Sequence, residues 1–307
     1  MMDYHGLAEQ LRGQFPALDI REQEPMNRHT TFRVGGRVSL FVRPSCVEEI
    51  LGVCALLKQQ GLRPFVMGRG SNLLVADEDL EGVVIQLAEN FSSFRREGDT
   101  GLYAQAGATL VRLAQEAQNF GLSGLEFAGG IPGALGGGVS MNAGAYGGEL
   151  KDVVVSVDYL DENLELRTAS AEECDFRYRG SAFSDTAKVI LGARMELQAS
   201  DVETVKARMD ELKGKRVKSQ PLEYPSAGST FKRPVGGYAA AMIDEAGLKG
   251  CTVGGAQVSE KHAGFVINRG GATCADVLAL MDHIRSVVYD RTGVTLEAEV
   301  KIIRTLH

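Results

Sequence analysis

Residues 121–148 have the composition most suggestive of chemistry, with 11 glycines in 28 positions and apolar side chains interleaved among them. Glycine loses more conformational freedom on folding than any other residue, so this density indicates close backbone approach or positive φ angles. Backbone N–H groups that no side chain obstructs are well suited to hold a diphosphate. We therefore predict a ligand-binding surface here, and a mobile low-complexity loop is the alternative.

A second glycine motif, Gly68-Arg69-Gly70-Ser71-Asn72, lies between two short strand-like runs at 64–67 and 73–75. A dinucleotide fingerprint of the Rossmann kind needs a strand before it and a helix after it. Since this loop joins strand to strand, neither glycine stretch predicts a Rossmann site.

Two carboxylates, Glu297 and Glu299, lie in a run at 294–303 that alternates as a strand does. Leu296, Ala298, Val300 and Ile302 would face one way, and the carboxylates with Lys301 the other. The spacing leaves two interpretations open, a solvated strand edge and a functional carboxylate pair.

The composition is that of a globular protein, with 307 residues, 44% hydrophobic and 24% charged, which allows two or three domains. No apolar run could span a bilayer and the first residues do not resemble a signal peptide, so we expect a cytoplasmic protein without membrane partners. Five cysteines without a CxxC pair indicate buried thiols and no metal site. The net charge of −7 argues against nucleic-acid binding.

The elements that would position these residues divide into three groups. The first has a short helix within 1–28, a strand at 38–43, a helix at 46–60 and strands at 64–67 and 83–87. Ser45 and Glu48 form a capping box for the second helix, and Gly61 ends it. In the second group a strand at 102–106 precedes a helix capped by Thr109. Alternating residues 153–159 then pair with 164–168, and 189–197 form another strand.

The second group ends with a helix that a capping box of Ser200 and Glu203 would open. Helices at 237–247 and 273–291 and the strand at 294–303 follow. A proline-containing segment at 219–226 marks the boundary before them. We predict an α+β protein with domains at 1–89, 90–218 and 219–307.

Seven blocks together resemble one family, and they occur in its order. They are HTTFRVGG (29–36), GRGSNLL (68–74), GGIPGALGGGVSMNAGAYGGE (129–149), FRYRGSAF (176–183), AGSTFKRP (227–234), GGAQVSEKHAGFVIN (254–268) and LEAEVKII (296–303). The chain resembles the UDP-N-acetylenolpyruvoylglucosamine reductase family over residues 27–304. The chain is short, and in this it resembles the subclass of the family that lacks an extra tyrosine-bearing loop over the uridine.

The resemblance implies the FAD-binding fold of vanillyl-alcohol oxidase and p-cresol methylhydroxylase, with two lobes around the flavin and a third α+β domain over the substrate. It implies non-covalent FAD, so His29 would be structural. It also implies reduction of UDP-N-acetylglucosamine enolpyruvate by NADPH to UDP-N-acetylmuramate, a step of peptidoglycan synthesis, in a monomer or weak dimer.

The same resemblance assigns three catalytic residues. Arg179 would stabilise an enolate, Ser229 would protonate it, and a protonated Glu299 would donate a hydrogen bond to it. Without the resemblance, Ser229 would be interpreted as an ordinary turn residue. The sequence alone also gives no reason to prefer Arg179 over Arg177 as the catalytic arginine.

Binding residues follow from the motifs as well. The expected FAD contacts are Gly68, Arg69, Gly70, Ser71, Asn72, Leu73, Gly130, Ile131, Pro132, Gly133, Gly138, Val139, Asn142, Ala143 and Gly144. The expected substrate contacts are Tyr178, Lys232, Arg233, Gln257, Lys261 and Asn268, although many family members have asparagine where Arg233 stands.

Two rival functions share parts of this pattern. A flavin oxidase or dehydrogenase of the same fold would share the glycine stretches, but it would not predict AGSTFKRP or the terminal glutamate motif. A nucleotide-sugar-binding protein without activity would have no use for a proton donor at Ser229.

Overall fold

A computed structural model describes residues 2–306. The helices are α1 (Tyr4–Gln14), α2 (Val47–Gln59), α3 (Leu110–Asn119), α4 (Leu135–Ser140), α5 (Val202–Ser219), α6 (Ala239–Glu245) and α7 (Cys274–Thr292). The first strands are β1 (Asp19–Pro25), β2 (Arg37–Arg43), β3 (Phe65–Met67), β4 (Leu73–Val75), β5 (Leu80–Gln86), β6 (Phe94–Glu97), β7 (Gly101–Gln105), β8 (Leu122–Ser123) and β9 (Gly144–Ala145). The remaining strands are β10 (Gly148–Glu149), β11 (Val154–Leu160), β12 (Leu166–Ser170), β13 (Val189–Glu196), β14 (Gln198–Ala199), β15 (Thr252–Val253), β16 (Ala256–Val258), β17 (Val266–Asn268) and β18 (Lys301–Ile303).

The first sheet has the order β1-β2-β5-β3, with β2, β5 and β3 parallel and β1 antiparallel at the edge. The predicted β2, β3 and β5 and helix α2 are confirmed. Strand β1 was not predicted, because its sequence DIREQEP is polar and only Glu24 in it is buried. An edge strand held mainly by backbone hydrogen bonds leaves little hydrophobic signal in the sequence.

The second sheet is antiparallel, with the order β12-β11-β13-β7-β6. The predicted pairing of residues 153–159 with 164–168 is confirmed as β11 and β12. Thr109 caps α3, since its hydroxyl accepts a hydrogen bond from the N–H of Arg112 at 3.2 Å. One apolar core continues from the first sheet into this one.

The third group, β15–β17 with α6 and α7, has its own core. The chain then returns, because β18 pairs in parallel with β4, with Lys301 opposite Leu73. This pairing brings the terminal glutamate motif next to the glycine loop 68–72. The domain limits 1–89, 90–218 and 219–307 remain predictions. No helix within residues 2–306 is long and apolar enough to cross a bilayer.

Both predicted capping boxes are wrong. Helix α2 has Cys46 at its N-cap, and the Ser45 N–H and hydroxyl both donate to Glu49, at 2.6 and 2.9 Å. Helix α5 begins one residue later than expected, because the Asp201 carboxylate accepts from the N–H of Thr204 at 2.8 Å. An aspartate one position away is an equally good cap, so sequence spacing could not decide between them.

The predicted strand at 294–303 is also wrong in its first part, since only β18 is regular. Residues 294–300 instead follow the loop at 229–232, with an isolated bridge between Phe231 and Ala298. The glycine stretch likewise contains a helix, α4, that was not predicted. Three consecutive glycines lower helix propensity, and packing of α4 against β7 and β13 overrides it.

Candidate functional site

A cavity of about 580 Å³ opens between the loop 68–73, helix α4 and the segment around β18. Its volume lies within the range of pockets that hold small molecules and cofactors. Ten of the predicted FAD contacts line it: Gly68, Arg69, Gly70, Ser71, Asn72, Leu73, Ile131, Gly133, Gly138 and Ala143. Both glycine motifs, far apart in the sequence, therefore form walls of one cavity.

The other five predicted contacts lie outside this lining, and their roles stay predictions: Gly130, Pro132, Val139, Asn142 and Gly144. Asn142 is fully buried, and its side chain holds the glycine-rich segment together. It donates to Glu149 at 2.7 Å and accepts from the Lys151 N–H at 3.0 Å. This bonding indicates that Asn142 shapes the cavity from behind its wall.

Glycine is required in these walls for two different reasons. At Gly70 the φ angle is +63°, and a Cβ would lie 2.1 Å from the carbonyl oxygen of His29. At Gly137, which lines the cavity, a Cβ would meet no protein atom within 4 Å. The first position allows a close backbone crossing, while the second leaves open space beside helix α4, as a bulky diphosphate cofactor requires. These walls therefore fit FAD.

Replacing Gly137 by valine should give folded protein that has lost most of its flavin. The added side chain would project into the cavity without touching the protein, and we expect FAD affinity to fall at least about tenfold, or 1.4 kcal/mol. Flavin absorbance per protein after purification measures this. Gly214→Val is the control, because Gly214 lies in α5 outside the cavity lining and its Cβ also meets nothing within 4 Å. Full flavin content in Gly137→Val would contradict the prediction.

Several polar lining residues were not among the predicted cofactor contacts: Arg63, Asp185, Thr186, Lys188 and Lys301. Lys301 donates to Asp185 at 2.5 Å, which links β18 to the segment before β13 at the cavity. None of these residues belongs to a glycine-rich motif, and of the five only Lys301 lies in one of the seven family motifs, at 296–303. Only the pairing of β18 with β4 brings Lys301 to the cavity.

Arg179 and Glu299 form an ion pair beside this cavity, with 2.7 Å between Nε and Oε1. Their side chains are only 22% and 11% exposed. The Arg179 guanidinium also donates to the carbonyl oxygen of Gly144 at 3.4 Å. The pair joins residues 120 positions apart.

The backbone presents Arg179 in a tight turn closed by two hydrogen bonds between Arg177 and Gly180. Arg179 has a φ of +55°, a left-handed conformation that is uncommon for residues other than glycine. The buried Ser181 anchors the turn, since its hydroxyl donates to the carbonyl oxygen of Ser140 at 2.9 Å. A strained residue held by its surroundings is typical of functional sites.

The pKa of Glu299 is raised above its usual value because burial disfavours the carboxylate. The charges of Arg179 and then Lys232 act in the opposite direction without cancelling the effect. A carboxyl with a raised pKa beside a guanidinium can act as a hydrogen-bond donor as well as an acceptor.

The structure separates the residue pairs that the sequence could not rank. Glu297 is 73% exposed and forms an ion pair with Lys232, whereas Glu299 is largely shielded from solvent. Arg177 is 55% exposed and pairs with Asp175, whereas Arg179 points to Glu299. Glu297 and Glu299 therefore do not form one functional pair. Of the two carboxylates only Glu299, and of the two arginines only Arg179, takes part in the ion pair beside the cavity.

The segment that carries Ser229 is bonded to Glu299. The residue after Ser229, Thr230, accepts a hydrogen bond from the Glu299 N–H at 2.9 Å through its carbonyl oxygen. Ser229 follows Gly228, which has a φ of +75°. Within residues 2–306 no group forms a hydrogen bond with the Ser229 hydroxyl. The arrangement therefore places a half-buried, available hydroxyl on the segment that holds Glu299.

Three of the predicted substrate contacts, Tyr178, Lys232 and Arg233, lie near the Arg179–Glu299 pair. The Tyr178 hydroxyl accepts from the Arg233 N–H at 3.1 Å, and the Arg179 guanidinium lies 5.2 Å from the Tyr178 ring. The Arg233 guanidinium stacks at 4.0 Å on Tyr238, an exposed residue that the sequence analysis missed. Lys232 forms an ion pair with Glu297, and its charge also acts on Glu299.

The other three predicted contacts are engaged with the protein itself. Gln257 donates to the carbonyl oxygen of Gly250 at 3.2 Å, and Lys261 donates to that of Val217 at 2.7 Å. Asn268 is buried and donates to the carbonyl oxygen of Phe32 at 3.1 Å. Their substrate contacts stay predictions. His29 donates or accepts at 2.8 Å with Glu24 and stacks on Phe41, which accounts for it structurally.

Two family models match the chain. Residues 38–170 match an FAD binding domain, and residues 220–303 match the C-terminal domain of UDP-N-acetylenolpyruvoylglucosamine reductase. A reductase of that name from Clostridioides difficile is 47% identical over 285 residues, covering 93% of this chain and 93% of the relative. One from Syntrophomonas wolfei is 45% identical, covering 94% and 96%.

Solved structures agree with these matches. The UDP-N-acetylenolpyruvylglucosamine reductase of Thermus caldophilus superimposes with a TM-score of 0.80 at 34% identity, covering 93% of this chain and 98% of that one. An alkyldihydroxyacetonephosphate synthase superimposes with a TM-score of 0.50 at 16% identity over 64% of this chain, which shows a shared fold. The predicted fold class, an FAD-binding fold of the vanillyl-alcohol oxidase type with a C-terminal α+β domain, is confirmed.

Proposed function

Since the chain belongs to the UDP-N-acetylenolpyruvoylglucosamine reductase family, as an FAD-containing oxidoreductase, we propose that it uses NADPH to reduce UDP-N-acetylglucosamine enolpyruvate to UDP-N-acetylmuramate. Peptidoglycan synthesis would consume this product. The observation that supports the proposal most is the partly buried Arg179–Glu299 pair, which lies beside the cavity and next to the segment that carries Ser229. The loop 68–73 and the cavity wall around Gly137 would hold FAD, which would supply the chemistry of hydride transfer from NADPH to C3 of the enolpyruvyl group.

Arg179 would stabilise the negative charge that builds on the enolpyruvyl carboxylate side after hydride addition. Its guanidinium is fixed by Glu299 and by the Gly144 carbonyl oxygen, so it needs no reorganisation when the charge forms. Arginine suits this task because its donors form a rigid planar fork.

Ser229 would then donate its hydroxyl proton to C2 of the enolate. A hydroxyl is a weak acid in water, but an enolate formed beside it is a strong enough base to take the proton. The Ser229 alkoxide would be reprotonated from solvent, and the nearby cations would lower its energy meanwhile.

Glu299 would hold its own proton while the enolate forms and donate a hydrogen bond to it. Burial raises the pKa of Glu299, so the neutral acid persists to higher pH than for an exposed glutamate. Because the pKa is raised, the useful protonated form is present at low pH and is lost as the pH rises through that pKa.

Glu299→Gln should therefore slow the reduction of the enolpyruvyl sugar less than Glu299→Ala does. We expect the glutamine variant to react about tenfold faster than the alanine variant, which corresponds to the energy of one hydrogen bond. The amide still donates but does not titrate, so the rate should lose its decline at rising pH. Stopped-flow rates of flavin reoxidation over a pH series test this. Glu297→Ala, at the exposed carboxylate, is the control and should be nearly silent. A larger effect at Glu297 than at Glu299 would contradict the assignment.

The proposed function itself is tested by mixing the purified protein with NADPH and the enolpyruvyl sugar. NADPH should bleach the bound flavin, the sugar should restore its colour without oxygen, and mass spectrometry should find the muramate. A flavin that the sugar does not reoxidise, while oxygen does so rapidly, would identify an oxidase of the same fold.

A further inference from the structure

We propose that Asn72 is a positioning residue that connects the cofactor cavity to Glu299. Asn72 belongs to the loop 68–73 that lines the cavity, and its side-chain amide forms a hydrogen bond with the protein. The amide nitrogen donates to the main-chain carbonyl oxygen of Glu299 at 3.0 Å. The main-chain oxygen of Asn72 accepts from the Lys301 N–H at 2.9 Å. Asn72 therefore holds the chain immediately at and after Glu299.

The other side of Glu299 is held by the Ser229 segment. The Glu299 N–H donates to the carbonyl oxygen of Thr230 at 2.9 Å, and Thr230 is itself buried. The Thr230 hydroxyl accepts from the Val266 N–H at 3.0 Å, and its N–H donates to the Gly264 carbonyl oxygen at 2.9 Å. Thr230 is thus a rigid support, and Asn72 supplies the matching contact from the cavity side.

This geometry couples three parts of the site. The cavity loop, the Glu299 backbone and the segment after Ser229 are joined by consecutive hydrogen bonds. Loss of the Asn72 bond would free one side of the Glu299 backbone and let the carboxyl move relative to Arg179. The inference rests on the proposed function, since it predicts which half of that reaction depends on Asn72.

Two variants remove the donor in different ways: Asn72→Ala deletes the amide, and Asn72→Asp keeps its size. Because Asn72 lines the cavity, both variants are compared after loading with FAD, and we expect their reduction by NADPH to change less than their reoxidation. Reoxidation by the enolpyruvyl sugar should slow about 10²-fold, the effect of a catalytic group misplaced by about 1 Å, with little change in KM. Thr31→Val is the matched control. It removes another long-range hydrogen bond, from the Thr31 hydroxyl to the Ser226 carbonyl oxygen at 2.7 Å, and should leave both rates unchanged.

Amide hydrogen exchange supplies a readout that does not depend on turnover. The N–H groups of Glu299 and Lys301 should exchange about tenfold faster in Asn72→Ala and at the wild-type rate in Thr31→Val. Loss of flavin from both Asn72 variants would make Asn72 a cofactor ligand and overturn the proposal, as would unchanged reoxidation or unchanged exchange. If the sugar fails to reoxidise the wild-type flavin, the proposed function is wrong, and the exchange rates still decide the position of Asn72.

Discussion

Ser229→Ala leaves the reduction of the flavin by NADPH at its normal rate and slows reoxidation by the enolpyruvyl sugar on the order of 10²–10⁴-fold. This is the expected result because the hydroxyl is needed only after the enolate has formed. The Ser229 hydroxyl has no hydrogen-bond partner within residues 2–306, so its removal should not disturb the fold. The backbone bond between Thr230 and Glu299 is retained in the variant.

Anaerobic stopped-flow absorbance of the flavin measures the two halves separately. Ser226→Ala is the matched control, since Ser226 lies three residues earlier in the same segment and only its main chain is used, as an acceptor for Thr31. We expect it to react normally in both halves. Equal slowing of both halves in Ser229→Ala would indicate positioning or folding, and normal rates in both would mean that another group donates the proton.

Arg179→Ala should lower kcat and kcat/KM together, on the order of 10²–10³-fold. An interaction that strengthens as charge develops on the substrate stabilises the transition state more than the bound substrate. The variant also leaves Glu299 buried without its cationic partner, which should raise the pKa of that carboxyl further. Steady-state kinetics with varied sugar at saturating NADPH measures the effect.

Two further variants separate the effect of losing the Arg179 guanidinium from other effects of the substitution. Arg179→Gly accepts a φ of +55° without strain, so it should be about 1 kcal/mol more stable than Arg179→Ala while losing as much activity. Arg177→Ala removes an exposed guanidinium that pairs with Asp175 and should stay close to wild type. A raised KM with normal kcat in Arg179→Ala would make Arg179 a binding residue and shift attention to Arg177.

The amino-acid sequence by itself determined the features that depend on neighbouring residues. The strand–loop–strand arrangement around Gly68–Asn72, the Thr109 cap of α3 and the hairpin of β11 and β12 all follow from local spacing, and the structure contains each of them. Local signals failed where two adjacent residues could serve equally, as with the cap of α5, or where pairing outweighed a polar composition, as in β1. The ordered motifs also identified the family before any fold was known.

Only the tertiary structure decided which chemically similar residues belong to the site. Arg177 and Arg179 are equivalent in sequence, and so are Glu297 and Glu299, yet one member of each pair is partly buried in the Arg179–Glu299 ion pair and the other is largely exposed. Their environments depend on contacts such as that between Arg179 and Glu299, 120 positions apart, and on the pairing of β18 with β4. The burial that raises the pKa of Glu299 arises only when these distant segments pack together. The hydrogen bond from the Asn72 side chain to the Glu299 carbonyl oxygen depends on the same packing.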